Sequence, residues 1–324
     1  MNTRVGARVP LFAASRTARK INLVYEMPTT MSSSTKNALH LTRTILGLFK
    51  LRIGVMIMIT ALVGLVVTPG PFIGWYKVIV MALAVLVSSA SAGAFNQYYE
   101  RNTDHLMART RSRAFVTGSI QSSSGWLVVM AVMLTVAVAA AAWVVNITSA
   151  VFVFLGAFFY AIVYTVWLKR RSWLNIVVGG LAGSFAVLAG AAAVDPVIGP
   201  LPFLMAMVLF LWTPPHFWSL AIANEAEYAA AGVPMLPVVV GTHRAAWVVF
   251  WSTLALAVTA LLPGWFGAGA IYMVGALAGG GFFVYKAWLL ARKPTRKSAM
   301  GSFFASLIQL SLLLLAATVD SLVN

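Results

Sequence analysis

The chain has no cysteine among its 324 residues. This absence excludes disulfide bonds, thiolate catalysis and cysteine-ligated zinc or iron–sulfur centres, so any bound metal must have oxygen or nitrogen ligands. Charged residues are also scarce, at 9% of the chain against about 25% in soluble globular domains, and seven of them are acidic. Because 61% of the residues are hydrophobic, so few charges cannot cover a water-soluble surface. The composition therefore predicts an integral membrane protein surrounded by a lipid bilayer.

Long apolar stretches predict an all-α membrane fold with nine transmembrane helices. Each stretch approaches the ~20 residues that cross the hydrocarbon core, and none alternates with the period of two that is typical of barrel strands. The predicted spans are approximately 53–68, 76–95, 126–145, 149–168, 174–194, 201–222, 244–262, 270–291 and 301–319.

The basic residues have a topological explanation. All 23 Lys and Arg residues except Lys77 and Lys286 lie in the N-terminal segment or in alternate loops, which share one side of the membrane if there are nine spans. This asymmetry predicts that the N-terminus lies on the cytosolic or matrix side. The net charge of +16 then requires no nucleic-acid partner.

The N-terminal segment differs in composition from the rest. Residues 1–44 are basic and rich in Ser and Thr, and we predict a disordered extension there, followed by a membrane domain over 45–324. A mitochondrial transit peptide and a start codon upstream of the true one at Met27 or Met31 are alternative interpretations.

Polar residues after the second span indicate a cation and phosphate site. Asn96, Glu100 and Asp104 have the spacing i, i+4, i+8, which places them on one face if the helix continues through all three. Carboxylates and a carboxamide suit Mg²⁺, while the guanidinium groups of Arg109 and Arg113 suit phosphate oxygens. The competing interpretation is a set of ordinary ion pairs on a wet helix surface.

A second polar loop follows the sixth span and contains Glu225, Glu227 and Tyr228. Nine spans place this loop on the same membrane face as the first polar loop, so the acidic residues of both can converge. Its apolar continuation predicts a lid over the bundle or a partly re-entrant segment, with an interfacial loop as the alternative. Within the spans, His216 is either functional or a neutral packing residue, and Lys286 either snorkels or points inward.

These residues resemble a known family. The run NQYYERNTDHLMARTRSRAF at 96–115 is similar to the first signature of the UbiA-type intramembrane prenyltransferases. Within that superfamily, TPPHFWSLAI at 213–222 and EYAAAGVPMLPVV at 227–239 are similar to the protohaem IX farnesyltransferase (haem O synthase) branch. The resemblance implies transfer of a farnesyl group from farnesyl diphosphate to a vinyl group of haem b, assisted by Mg²⁺, with a haem A synthase as the enzyme that uses the product.

The resemblance also implies roles for individual positions. Asn96, Glu100, Asp104 and Glu227 would hold metal, and Tyr228 would join them in catalysis. Four basic residues would bind the diphosphate: Lys50, Arg52, Arg109 and Arg113. His216 is a guess for haem binding. The chain departs from the family pattern at Leu51, Glu100, Ala114, Glu225 and Ala226.

Two other functions are compatible with parts of the sequence. One is a UbiA-type enzyme that prenylates an aromatic quinone precursor, and the other is a polytopic transporter. Transporters hold ions near the bilayer midplane, whereas the acidic residues here cluster at one face. The predicted location is the bacterial plasma membrane, with the mitochondrial inner membrane as the alternative.

Overall fold

The computed structural model describes residues 42–323, so predictions for residues 1–41, which include most of the basic extension, lie outside it. All regular structure within 42–323 is helical. Within this described part of the chain, eight helices are long and apolar enough to cross a membrane, and there are nine spans if Thr42–Leu48 and Leu51–Val66, bent by 52°, form one. The predicted all-α membrane bundle is confirmed.

The helices, numbered in chain order, follow the predicted spans to within a few residues at most ends. They are α1 Thr42–Leu48, α2 Leu51–Val66, α3 Trp75–Glu100, α4 Ala114–Thr117, α5 Gly125–Ala140, α6 Ile147–Phe158, α7 Asn175–Gly179, α8 Leu181–Val194, α9 Pro200–Ala223, α10 Glu225–Ala230, α11 Leu236–Val240, α12 Thr242–Thr259, α13 Ala270–Arg292 and α14 Arg296–Val323. Helix α5 continues as a π-helix over Ala141–Val145, and α6 continues as a π-helix over Phe159–Leu168.

The helices pack in two groups joined through α8, α9 and α2. In the first group α3 contacts α2, α5 and α6, and α8 contacts α2 and α6. In the second group α9 contacts α12 and α14, and α13 packs between α12 and α14. Each group surrounds its own apolar core, while the outward faces remain apolar because they meet lipid.

Small residues let two of these helices approach closely. Gly190 of α8 lies so near the backbone of α2 that a Cβ atom would overlap the carbonyl oxygen of Ala61. Gly64 of α2 makes a similar approach to Val187. Lipid is as apolar as the side chains, so the hydrophobic effect does not drive helices together in a membrane, and such close backbone packing is a main source of their association.

The two ends of the bundle differ chemically. One end carries the basic loops after α3, α6 and α13 and the start of α12, which contains Arg244. The other end carries exposed aromatic residues such as Trp75, Trp143 and Trp265, as is typical of a membrane interface. Asp320 lies at this second end, where its carboxylate accepts hydrogen bonds from the backbone N–H groups of Gly269 (2.6 Å), Ile271 (3.1 Å) and Tyr272 (3.2 Å). It therefore caps the N-terminus of α13 and satisfies donors that the helix cannot.

Candidate functional site

The predicted column of Asn96, Glu100 and Asp104 is buried at the basic end of the bundle. Each of the three residues is 2–4% exposed. The column is not one helix as predicted: α3 ends at Glu100, and Asp104 opens a separate 3₁₀ turn, Asp104–Leu106. The chain turns here because Thr110 donates its hydroxyl to the Asp104 carbonyl at 2.6 Å, and the turn keeps Asp104 beside Glu100.

Two cations from different parts of the chain neutralise these carboxylates. Lys169, just after the π-helix of α6, forms an ion pair with Oε1 of Glu100. Arg113 lies 2.5 Å from Oδ2 of Asp104 and 3.6 Å from Oε2 of Glu100, so one guanidinium serves both acids. The acidic residues are thus ion-paired, but the pairs are buried and join distant parts of the chain, unlike the wet-surface pairs of the competing interpretation.

Asn96 belongs to a closed ring of hydrogen bonds. Its Oδ1 accepts from the Lys50 ammonium at 2.6 Å, and its Nδ2 donates to the hydroxyl of Thr165 at 3.1 Å. Lys50 also donates to the phenol oxygen of Tyr160 at 3.0 Å, and Thr165 donates to the Tyr160 carbonyl at 2.8 Å. Four side chains from three parts of the chain are thereby fixed relative to one another.

Lys50 reaches this ring through an uncommon backbone conformation. Its φ of 48° and ψ of 40° are left-handed, and every other positive φ in residues 42–323 belongs to a glycine. A side chain in this region costs about 1–2 kcal/mol. The conformation produces the 52° bend between α1 and α2 and directs the ammonium into the site. Strain of this kind is typical of functional positions.

The π-helix Phe159–Leu168 explains why α6 can supply four site residues. Its hydrogen bonds run from i to i+5, as from Lys169 N–H to the Tyr164 carbonyl at 2.9 Å. Residues five apart, such as Tyr160 and Thr165 or Tyr164 and Lys169, therefore lie near the same face. In an α-helix with 3.6 residues per turn they would be roughly 140° apart.

The loop after α9 folds back over the same end of the bundle. Arg109 donates to the Tyr228 hydroxyl at 3.3 Å, and Arg170 donates to the Ala231 carbonyl at 3.0 Å. Tyr228, Ala231, Val233, Met235 and Leu236 are buried in one apolar cluster with residues of α9, α12 and α13. The segment from Tyr228 to Leu236 therefore packs on these helices, and Arg109 and Arg170 connect it to the two neighbouring polar loops.

The two acidic residues of this loop have different surroundings. Glu225 accepts a hydrogen bond from the Thr242 hydroxyl, so it ties the start of the loop to its end. The Glu227 carboxylate has no hydrogen bond or ion pair with another residue of the described chain and is half-buried. Its neighbour Tyr228 is bonded to Arg109, which links this loop to the Asn96–Asp104 region.

Burial shifts the proton affinity of two groups at the membrane surface. It lowers the pKa of Lys169 from its ordinary value, against the raising effect of the Glu100 charge. It raises the pKa of Tyr228, although Arg109 pulls that pKa down; Glu227 and then Glu100 raise it further. Both carboxylates act on Tyr228, which therefore lies within electrostatic reach of both acidic loops.

The donor set is suitable for a hard divalent cation. Oε2 of Glu100 is buried and accepts no hydrogen bond from a described residue, and its ion pair with Arg113 is long at 3.6 Å, so this oxygen can accept a further cation or donor. Glu100, Asp104 and Asn96 offer the oxygen ligands that Mg²⁺ prefers. Within residues 42–323, no three Asp, Glu or His side chains converge to a metal-binding group, so Glu227 does not meet the other two acids directly. The predicted ligand set stays a prediction.

Not all predicted site residues join this arrangement. Arg52 is exposed, and no hydrogen bond or ion pair connects it to another described residue. His216 faces α14: its ring stacks between those of Trp212 and Phe303, and Nδ1 lies 2.6 Å from the Ser306 hydroxyl. The guess that His216 binds haem stays untested. Lys286 lies against the rings of Phe282 and Tyr285, on a partly exposed face, in agreement with snorkelling.

An apolar cavity begins directly beneath the polar ring. It has about 580 Å³ of space between atoms, part of it open to the surroundings. Lys50 and Tyr160 line its polar end, and small or aliphatic residues line the rest: Ile53, Ile57, Val85, Ala92, Gly93, Val153, Gly156, Ala157, Ala182, Ala186 and Ala189, with Phe152, Ser88 and Ser89. Gly93 and Val85 are eight residues apart on α3, so the cavity extends about 12 Å into the bundle.

Lys169, Tyr160, Tyr164 and Thr165 are the site residues that sequence reasoning missed. Lys169 had been counted as a topological charge, and the tyrosines and Thr165 lie within an apolar span. The signal that could have found them is the polar pair spacing of five residues, repeated at 160/165 and 164/169. That spacing has no common face in an α-helix, so a search by α-helical period passes over it.

The chain is similar to known proteins in sequence and in fold. The model described as UbiA prenyltransferase family matches residues 57–309. A protein of Paramagnetospirillum magneticum named protoheme IX farnesyltransferase 2 is 52% identical over 280 residues, covering 86% of this chain and 97% of that protein.

Two solved structures share the fold at low identity. A digeranylgeranylglyceryl phosphate synthase structure has a TM-score of 0.74 at 18% identity, covering 87% of this chain and 99% of that one. A UbiA homologue from Archaeoglobus fulgidus bound to DMAPP and Mg²⁺ has a TM-score of 0.63 at 14% identity, covering 83% and 99%.

Proposed function

Since the chain belongs to the UbiA prenyltransferase family, we propose that it transfers a farnesyl group from farnesyl diphosphate to a vinyl group of haem b, giving haem O. Relatives that align with this chain over almost their full length are named for that activity. One observation carries the proposal for this chain: a buried set of acids and cations lies directly above an apolar cavity. The two regions match the two halves of an isoprenoid diphosphate.

The reaction breaks the C1–O bond of the diphosphate, the vinyl π bond and one O–H bond of water, and it forms a carbon–carbon and a carbon–oxygen bond. The C1–O bond of farnesyl diphosphate breaks, and its electron pair leaves with the diphosphate. The vinyl π electrons of haem b then form a carbon–carbon bond to C1. The cation that results next to the porphyrin ring takes the oxygen of water, which loses a proton and leaves a hydroxyl group.

The cationic side chains would bind the leaving diphosphate. Lys50, Lys169, Arg109 and Arg113 converge on this end of the bundle, and their donors match phosphate oxygens. They are held by protein partners that the phosphate oxygens can replace. Fixed donors of this kind stabilise charge as it develops on a leaving group, and such preorganisation is commonly worth several kcal/mol.

Asn96, Glu100 and Asp104, with Glu227 on the facing loop, would hold Mg²⁺. The ion would supply charge neutralisation on the diphosphate. The protein's own contribution is to keep these oxygens buried and ordered. Arg113 and Lys169 now hold Glu100 and Asp104 in place, so the acids do not need to reorganise when substrate enters.

The apolar cavity would hold the isoprenoid chain and exclude water from C1. Tyr160 stands at the junction, with its hydroxyl toward Lys50 and its body lining the cavity. Water that reached C1 early would hydrolyse the substrate, so a dry wall at this point protects the transfer. The segment of Tyr228 to Leu236, which Arg109 and Arg170 hold at this end of the bundle, would cover the polar end of the site and serve the same purpose.

The test is mass spectrometry of haems extracted from cells that lack their own haem O synthase and express this chain. The expected product is a haem carrying a hydroxyethylfarnesyl group. Asp104→Asn is the matched control, since it keeps the side-chain size but removes the charge paired with Arg113. Absence of the product from cells with correctly inserted protein would refute the function, and a prenylated aromatic acid would point to the quinone branch.

The chain is a multi-pass membrane protein, and we propose that the site opens on the cytosolic or matrix side. The bacterial plasma membrane is the proposed location, the mitochondrial inner membrane the alternative, and a haem A synthase the proposed user of the product. With nine spans, α14 ends on the opposite side from the basic loops. Alkaline phosphatase fused after Val323 should be active in a bacterial host, and an inactive but stable fusion would refute this orientation.

A further inference from the structure

The hydroxyl of Thr165 has a fixed direction. It donates to the carbonyl oxygen of Tyr160 at 2.8 Å, five residues back along the π-helix. A carbonyl oxygen can only accept, and a threonine hydroxyl has one proton. Toward Asn96 the Thr165 oxygen therefore presents only lone pairs.

The other neighbour of the Asn96 carboxamide is equally one-sided. The Lys50 ammonium has three N–H donors and no acceptor, and it lies 2.6 Å from Oδ1 of Asn96. The carboxamide can satisfy both neighbours in one orientation alone, with Nδ2 toward Thr165 at 3.1 Å and Oδ1 toward Lys50. The amide direction, which is often ambiguous in structures, is determined here by its partners.

We propose that Thr165 is a positioning residue that holds the oxygen of the Asn96 carboxamide toward the cation-binding side of the site. This inference rests on the proposed function, because it deepens the role of Asn96 as an oxygen ligand. The Lys50 ammonium marks the direction in which a positive charge meets that oxygen. A flipped carboxamide would turn its two N–H groups toward the same position and repel a cation.

Burial makes the Thr165 hydroxyl hard to replace. Thr165 is 3% exposed and Asn96 is 2% exposed, so water cannot readily take over the hydrogen bond. The π-helical geometry is part of the device, because it places Thr165 one turn above Tyr160 and opposite α3. A valine at 165 would keep the shape but leave Nδ2 without an acceptor.

Metal binding tests this inference without measuring turnover. The probe is Mn²⁺ with inorganic pyrophosphate, added to the purified full-length protein and followed by the electron paramagnetic resonance signal of free Mn²⁺. Thr165→Val should weaken Mn²⁺ binding about three- to tenfold, the effect of losing one hydrogen bond. Thr165→Ser, which keeps the hydroxyl, should bind within about twofold of the wild type.

The chain offers a matched control for the loss of a buried threonine hydroxyl. Thr253 in α12 is fully buried, and its hydroxyl donates to the Val249 carbonyl at 2.8 Å within its own helix. Thr253→Val removes the same group outside the site and should leave Mn²⁺ binding unchanged. If Thr165→Val does not fold, Thr165→Ala removes the hydroxyl in a second way.

A variant of Asn96 separates orientation from general packing. In Asn96→Ala no carboxamide remains to be oriented, so adding Thr165→Val should then alter the already weaker Mn²⁺ binding by less than about twofold. A full effect in that background, wild-type binding by Thr165→Val, or no Mn²⁺ binding by the wild type would overturn the inference. The two proposals can fail separately. If the wild type makes no haem O but Thr165→Val still binds Mn²⁺ more weakly than the wild type, the proposed function is refuted and the positioning role is supported.

Discussion

Replacing Lys169 with methionine should both destabilise the protein and abolish transfer. The Lys169 side chain is 16% exposed, and it is paired with a Glu100 side chain that is 4% exposed. Methionine has a similar length and fills most of the same space. The variant therefore tests the charge and not the volume.

The expected cost follows from what the lysine leaves behind. Removing one partner of a buried ion pair typically costs about 3–5 kcal/mol, because the remaining charge has neither water nor a counter-ion. Arg113 stays 3.6 Å from the other Glu100 oxygen and offsets part of this penalty. We therefore expect the lower end of the range, about 3 kcal/mol.

The assay combines the unfolding temperature of detergent-purified protein with haem analysis. Lys169→Met should unfold at a clearly lower temperature and form no farnesylated haem. Adding Glu100→Gln should restore much of the stability, since a neutral amide is easier to bury than an unpaired carboxylate, but should not restore activity. Lys286→Met is the control, because Lys286 lies against the rings of Phe282 and Tyr285, outside the site.

Two results would refute this reasoning. The first is a Lys169→Met protein as stable as the wild type, which would mean that Arg113 alone neutralises Glu100. The second is a double variant less stable than Lys169→Met, since it would show that the buried charge was not the source of the loss.

Three further predictions address other parts of the structure. Because burial lowers the pKa of Lys169, activity should fall with rising pH before the ordinary lysine range, and Lys169→Arg should move that fall to higher pH in pH–rate profiles. In the window between the lowered and the ordinary pKa the unfolded chain binds more protons, so this group makes unfolding less favourable as pH rises. A neutral Lys169 amine can still donate a hydrogen bond to Glu100, which methionine cannot, so activity should fall with rising pH while the melting temperature does not. Ala186→Leu should fill the middle of the 12 Å cavity. Because an isoprene unit is about 5 Å long, the shortened cavity should lower the ratio of kcat/KM for farnesyl diphosphate to that for geranyl diphosphate at least about tenfold. An unchanged ratio would mean that the isoprenoid chain lies elsewhere. Asp320→Ala removes a helix cap, which should lower the free energy of unfolding by about 0.5–2 kcal/mol and so lower the melting temperature, while haem farnesylation at low temperature stays intact. A fall in activity without a fall in stability would contradict a capping role.

The helices were predictable because each span is a local property of the sequence. Pro69, Gly70 and Pro71 mark the end of α2, and basic residues mark the loops at one end of the bundle. The hydrocarbon core fixes both the length and the apolar character of a span, so a count of apolar residues is enough. The 52° bend at Lys50 could not be predicted, since the left-handed conformation depends on contacts with Asn96 and Tyr160.

The site was predictable where it follows a helix end and not where it depends on partners. Asn96, Glu100 and Asp104 were identified from their spacing, although the helix ends at Glu100 and a turn brings Asp104 back. Lys169 was not identified, because its partner Glu100 is 69 residues away in the chain. A single sequence contains no statement of which distant charges will meet.

The π-helix of α6 has a consequence for comparing this chain with its relatives. Over ten residues the helix contains more chain per turn than an α-helix does, so an alignment that assumes regular periodicity will tend to open a gap there. A gap of one position would transfer the label of Thr165 to Tyr164 or Val166 and separate Lys169 from its acidic partner. Alignments across Phe159–Leu168 should be anchored at Tyr160 and Lys169, and a relative that lacks one residue between these anchors should be expected to bind its cation differently.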